Sequence, residues 1–198
     1  MTASARLLIV GPQGSGKGTQ GVRIAETFGI PVVSTGDIFR ANIKGGTELG
    51  TQVTEILDRG DLVPDELTSE IVRDRLSQDD AANGFLLDGY PRNVAQVGHL
   101  DEFLSGRGEA LDAVLLLDVP RAESISRLSL RAIEQGRSDD TEEAIAHRLD
   151  IYERETAPII DVYSERGIVD RIDGVGSLDE ITERIVAALD ARGLRVAV

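Results

Sequence analysis

Four short stretches place phosphate-handling side chains at the ends of apolar runs. The first is GPQGSGKGT, residues 11–19. A phosphate-cradling loop follows the pattern G-x-x-x-x-G-K-[ST]. Gly11, Gly16 and Lys17 fit it, but Gly18 stands where the hydroxyl residue belongs and Thr19 comes one place late. Glycines at 11, 14, 16 and 18 let backbone N–H groups turn inward, because glycine accepts positive φ at little cost. Those donors and the N-terminus of a following helix form an anion nest, with Lys17 reaching the β- and γ-phosphates. A plain glycine turn would share the glycines, but not the ordered strand, loop, Gly-Lys pair and helix. With Gly18 at the hydroxyl position, Mg²⁺ is expected to be held through waters. Asp88, at the end of FLLD, is the candidate carboxylate.

The second stretch is STGDIFR. Thr35 leaves a strand with Ser34, and Arg40 lies five residues on, so a hydroxyl and a guanidinium can face a second nucleotide. Read alone, Ser34, Thr35 or Asp37 is also a plausible helix cap. The third is DGYPRNVAQ: Gly89 and Pro91 make a tight backbone that presents Arg92, a cis Tyr90–Pro91 bond would aim it, and Gln96 follows. A glutamine amide offers a paired donor and acceptor that can read a purine edge. The fourth is the arginine series Arg127, Arg131, Arg137 and Arg148, of which the first two share a helix face by their i, i+4 spacing.

The charge balance makes this convergence necessary. The 198-residue chain carries a formal charge of −14, so the field of the whole protein repels a nucleotide unless the pocket reverses the sign locally. The same balance argues against an extended nucleic-acid surface. Of 21 basic residues only Lys17 and Lys44 are lysines; the rest are arginines, whose planar fork suits bidentate phosphate contacts. There is no cysteine, so no disulfide or thiolate metal site is expected. His99 and His147 are far apart and suggest no metal pair. No apolar run approaches a membrane span, and with MTASAR running almost at once into the first strand no leader peptide is expected.

The positioning elements follow from hydrophobic pattern. Continuous apolar runs at 6–10, 31–34, 85–88, 113–119 and 167–172 read as strands buried on both faces, separated by amphipathic stretches such as 17–28 and 178–191. This predicts an α/β fold with about five parallel strands. Such sheets bind ligands at the strand C-termini, where four of the five exits carry the motifs. Residues 35–76 are too long for an ordinary crossover and are expected to form an inserted helical subdomain. The polar stretch 131–140 breaks the pattern a second time.

Taken together, GPQGSGKGTQ, STGDIFR, GDLVPDEL, GFLLDGYPRN with Gln96, and GRSDDTEEAIAHRLDIYERETAPII resemble adenylate kinase, from about Arg6 to about Leu189. The resemblance implies a single P-loop kinase domain over 1–198, a nucleoside monophosphate (NMP) subdomain at 34–63 and a short lid at 131–140 without zinc. It implies the reaction ATP + AMP ⇌ 2 ADP with Mg²⁺. Gly14, Ser15, Gly16, Lys17, Gly18 and Thr19 would bind the ATP phosphates, Arg127 and Arg131 would flank ATP, and Gly176 would meet its adenine. Thr35, Arg40, the Asp61, Leu62 and Val63 backbone, Gly89, Tyr90, Pro91, Arg92 and Gln96 would hold AMP. Arg137 and Arg148 would clamp the phosphates, with Asp139 and Asp140 as lid carboxylates. Lys17, Arg92, Arg131, Arg137 and Arg148 would be the catalytic set, in a cytoplasmic monomer.

Asn93 departs from this pattern. GYPRN is nearer to the UMP/CMP kinases, whereas Thr35 and Gln96 match the adenylate type, and AMP is the expected acceptor. A non-catalytic regulator would be expected to lack Lys17, Arg92 or Arg137, and all three are present. A signalling GTPase is disfavoured because DVPRAES, after the fourth strand, carries no guanine-reading motif.

Overall fold

The computed structural model describes residues 5–135 and 141–194. Its sheet has five parallel strands: β1 (Ala5–Val10), β2 (Val32–Ser34), β3 (Gly84–Asp88), β4 (Ala113–Asp118) and β5 (Val169–Asp173). The spatial order is β2-β3-β1-β4-β5, so β1 lies at the centre, between β3 and β4. Leu8 is in register with Leu87 on one side and Val114 on the other. The chain leaves β1 and β3 side by side, and the cleft outside their C-terminal ends is where a ligand site forms in such sheets.

Alternation along β1 divides the core into two layers. Leu7 and Ile9 face Ile24 and Phe28 of α1 (Lys17–Phe28) and Ile181 and Ile185 of α9 (Leu178–Ala191). Leu8 and Val10 face the opposite cluster, with Val97 and Leu100 of α5 (Val94–Ser105) and Ile159 and Tyr163 of α8 (Pro158–Glu165). Both faces of β1, β3 and β4 are covered, which is why these strands read as unbroken apolar runs. The edge strand β5, VDRID, departs from that expectation: only Ile172 is buried, and Arg171 and Asp173 are exposed. α1 ends at Gly29, whose φ of 66° lets its N–H reach the carbonyls of Ala25 and Glu26. α9 begins in a capping box: Ser177 and Glu180 satisfy one another's backbone N–H groups.

Between β2 and β3 lie α2 (Thr35–Lys44), α3 (Glu48–Asp58) and α4 (Asp65–Leu76). Phe39, Val53 and Val63 form a small core of their own, joined by Leu67 and Ile71 from the start of α4. Val72 and Leu76, further along α4, belong instead to the main core. α4 therefore connects the small helical core to the sheet. On the other side of the cleft, α6 (Arg121–Gln135) and α7 (Glu142–Ile151) meet through Leu128, Ile145 and Leu149. A single π turn, Tyr152–Thr156, leads from α7 to α8.

Candidate functional site

The phosphate loop is assembled first. Gly14 and Gly16 adopt φ of 78° and 89°, the left-handed conformation expected of the nest. Gly11 and Gly18 do not, and this corrects the expectation that all four glycines serve the same purpose. Gly11 is a matter of close approach: a Cβ there would lie 2.7 Å from Ser15 Oγ and 3.0 Å from the Leu117 carbonyl. Gly18 lies inside α1, where the nearest atom to a Cβ would be Asp88 Oδ2 at 3.8 Å. Folding therefore does not demand glycine at 18, whereas at 14 a Cβ would meet the Ser124 carbonyl at 2.6 Å. Gly14→Ala is expected to cost about 2 kcal/mol of stability. Gly18→Ala should gain between a few tenths and about 1 kcal/mol, by helix propensity. Denaturant unfolding of the two variants without nucleotide checks the contrast.

Lys17 opens α1 and donates to the Pro12 carbonyl at 3.3 Å. Burial pushes its ammonium down to about 8, against the pull of Asp88, and Arg92, Arg131 and Arg40 lower it further. Asp88 ends β3; its Oδ1 is buried and has no hydrogen-bond partner within the protein. An unsatisfied carboxylate oxygen at a phosphate loop fits a hydrated cation carried by a nucleotide. Among the described residues no group of three or more His, Cys, Asp or Glu is arranged to hold a metal ion.

The β3 exit then folds back on itself. Gly89 has φ 82°, and its carbonyl accepts from Thr35 Oγ1 at 3.0 Å and from Arg92 Nε at 2.9 Å. A Cβ at Gly89 would lie 2.8 Å from Thr35 Oγ1, so glycine is required for this approach. The Tyr90–Pro91 bond is cis. Tyr90 turns its ring into the core, where its hydroxyl lies 2.9 Å from Ser69 Oγ. Thr156 of the π turn donates to the Arg92 carbonyl at 2.7 Å. Arg92 is thus fixed at side chain and main chain. Burial lowers the pKa of its guanidinium; Asp88 opposes that, while Arg148 and Arg40 add to it.

Arg127 Nε pairs with Glu123 at 2.7 Å, and its Nη atoms donate to the carbonyls of Ser15 and Gly174. It joins α6, the phosphate loop and the turn after β5. Arg40 pairs with Asp37 one turn earlier on α2, at 2.5 Å. Ser34 is the α2 cap, its Oγ accepting from Asp37 N–H, whereas Thr35 is committed to Gly89. Arg148, on α7, donates to the Leu57 carbonyl at 2.9 Å, and a Cβ added at Gly60 would lie 3.0 Å from Arg148 Cγ. Asp61 accepts from His147 at 2.7 Å, and this contact, with Arg59, holds its carboxyl below the usual range.

A single cavity of about 930 Å³ collects most of these groups. It runs from Gly14–Thr19, Arg127, Arg131 and Gly176 to Thr35, Arg40, Asp61–Val63 and Gln96, with Asp88, Gly89, Arg92 and Arg148 also on its wall. Pro91 lines a small adjoining pocket with Arg92 and Arg148, and Tyr90 lines neither. Arg137, Asp139 and Asp140 lie outside the described residues. Sequence reasoning missed Thr156, Gly60 and Asp65. Thr156 holds the Arg92 carbonyl and Gly60 leaves room for the Arg148 side chain; they lie in the quoted stretches ending ETAPII and beginning GDLVPDEL, which by themselves gave neither residue a task. Asp65 had a motif, GDLVPDEL, but no assigned task. It accepts from Asn93 Nδ2 at 2.9 Å and from Gln96 Nε2 at 2.7 Å. Asn93 is spent on this contact and on capping α5 through Gln96 N–H.

Residues 9–168 match the family described as adenylate kinase. The chain is 60% identical over 185 residues to an adenylate kinase of Kocuria rhizophila, covering 93% of this chain and 98% of that one. It is 60% identical over 190 residues to one of Clavibacter michiganensis, covering 96% and 95%. A third, of Bifidobacterium longum, is 55% identical over 185 residues, covering 93% of this chain and all of that one.

Proposed function

The chain belongs to the adenylate kinase family, and we infer from that membership and the cleft that it transfers the terminal phosphoryl group of ATP to AMP, giving two ADP. The observation that carries this reading is the convergence of Lys17, Arg40, Arg92, Arg127, Arg131 and Arg148 on one cavity in a chain of net charge −14. Two anionic substrates must meet there, and only a local reversal of sign allows it.

In this reading the loop from Gly14 to Thr19 holds the ATP phosphates through backbone N–H groups, and Arg127 and Gly176 lie along the rest of ATP. AMP occupies the side lined by Thr35, Arg40, Asp61–Val63 and Gln96, within an NMP-binding unit at 34–63. An oxygen of the AMP phosphate attacks the γ-phosphorus in line. The new P–O bond forms as the bond to the β–γ bridging oxygen breaks, and that oxygen leaves with ADP. No covalent enzyme intermediate is needed. Lys17, Arg92, Arg131 and Arg148 neutralise charge on the transferring group, and they are positioned before the reaction begins. Mg²⁺ enters with ATP as part of the substrate and screens the phosphates, with Asp88 the residue to hold its water shell. We further propose that the enzyme works as a cytoplasmic monomer, in keeping with its acidic, cysteine-free composition.

Initial rates of diphosphate formation from Mg·ATP with AMP, CMP, UMP and GMP test the assignment. AMP is expected to exceed each of the others by at least about tenfold in kcat/KM. A preference for CMP or UMP would reverse it. Asn93, the residue nearest to the pyrimidine pattern, is occupied by a helix cap and Asp65 and does not line the cavity.

A further inference from the structure

Gln96 is 2% exposed, yet it lines the AMP side of the cavity. Both ends of its amide are already engaged. Oε1 accepts from the Arg92 backbone N–H at 2.8 Å, and Nε2 donates to Asp65 Oδ1 at 2.7 Å. A carboxylate only accepts and a backbone N–H only donates, so these partners fix which end of the amide is which. What remains is one N–H on Nε2 and one lone pair on Oε1. Turning the amide over would set its NH₂ against the Arg92 N–H and its oxygen against the carboxylate, leaving two buried mismatches.

We propose that Asp65 is a positioning residue for acceptor specificity: its carboxylate holds the Gln96 amide in the sense that accepts a 6-aminopurine monophosphate and rejects a 6-oxopurine one. The inference rests on Gln96 reading the acceptor base. Adenine offers a ring-nitrogen acceptor beside an amino donor, which complements the remaining N–H and lone pair. Hypoxanthine offers an N–H donor beside a carbonyl acceptor at the same edge, the opposite order. A site with its buried polar groups fixed rejects such a reversed ligand far more strongly than one that can rotate. Asp65 accepts from Asn93 Nδ2 as well, and Asn93 in turn caps α5 through Gln96 N–H, so the carboxylate, the cap and the reading amide form one closed unit.

The test compares AMP with IMP as acceptor, at saturating Mg·ATP, in the wild type, Asp65→Ala, Asp65→Asn and Gln96→Leu, with thermal unfolding alongside. Asp65→Ala is expected to lower the AMP:IMP ratio of kcat/KM by about tenfold, chiefly through the KM for AMP, with the KM for ATP unchanged. Asp65→Asn keeps an acceptor oxygen towards Gln96 and should hold the ratio within about threefold of wild type. If Asp65→Ala does not fold, Asp65→Ser, whose hydroxyl is too short to reach Gln96, replaces it. Should Asp65→Ala, or Asp65→Ser in its place, weaken AMP and IMP equally, Asp65 supports the fold alone and the proposal is overturned. The same ratio in Gln96→Leu as in wild type would overturn the reading of Gln96 itself. A collapsed ratio there beside an unchanged one at Asp65 would overturn only the role of Asp65.

Discussion

Replacing Arg92 with lysine is expected to lower kcat/KM by about two orders of magnitude while leaving the unfolding midpoint nearly where it was. The charge survives this substitution; the fork does not. Arg92 spends Nε on the Gly89 carbonyl, which leaves its terminal nitrogens for phosphate oxygens, and a lysine ammonium cannot serve both. Its main chain is held by Thr156 and Gln96 regardless of the side chain, so the backbone should keep its course. Burial and the nearby Arg148 and Arg40 disfavour this charge and together outweigh the pull of Asp88, so the guanidinium itself adds little to folding. Turnover with AMP and a thermal melt, measured on the same preparation, decide the matter. Parallel losses in both would make Arg92 a structural residue.

Lys17→Met should have a still larger effect, lowering kcat by about a thousandfold. Here the same physics makes a prediction about pH. Burial depresses the Lys17 ammonium from 10.5 to about 8 in the folded protein, so between those values the unfolded chain binds the extra proton. Stability therefore rises with pH across that window, as the cost of burying the charge is lifted. Lys17→Met lacks this cost, so its melting point should exceed that of wild type at pH 7, and the gap should close towards pH 10.5. Groups common to both proteins cancel in the difference. Activity runs the other way: kcat/KM for ATP should fall as pH rises through about 8, because the free enzyme needs the charged form. Bound phosphates restore that charge, so the limb in kcat should lie at higher pH. A kcat/KM profile flat to pH 9.5 would show that Lys17 is solvated in the free enzyme.

The two substitutions share a cause. Cations gathered for anions repel one another when no anion is present, so groups that favour the reaction oppose the fold. The orphaned Asp88 oxygen and the orphaned Ser15 hydroxyl are further costs of the same kind, both in the cleft.

Much of this molecule was legible in the amino-acid order. Five mostly apolar runs became five parallel strands; β1, β3 and β4 are apolar nearly throughout because both their faces are covered, whereas the edge strand β5 buries only Ile172. The limits of α1 and α9 follow from a Gly-Lys pair, a C-terminal glycine and a Ser-x-x-Glu box, all of which act within a few residues of chain. The phosphate loop and the arginine series were recognisable for the same reason: their chemistry lies in residue type and short spacing. Tertiary structure alone decided what each group is tied to. It showed that Gly14 and Gly16 need positive φ, while Gly11 needs room and Gly18 needs neither for folding. It turned the Tyr90 ring away from the cleft and spent Asn93 on a cap. It lowered Lys17 by burial, and it brought Asp65 to Gln96 across 31 residues of sequence. Burial, close approach and hydrogen bonds between distant segments depend on where the chain returns to itself, and no local pattern records that.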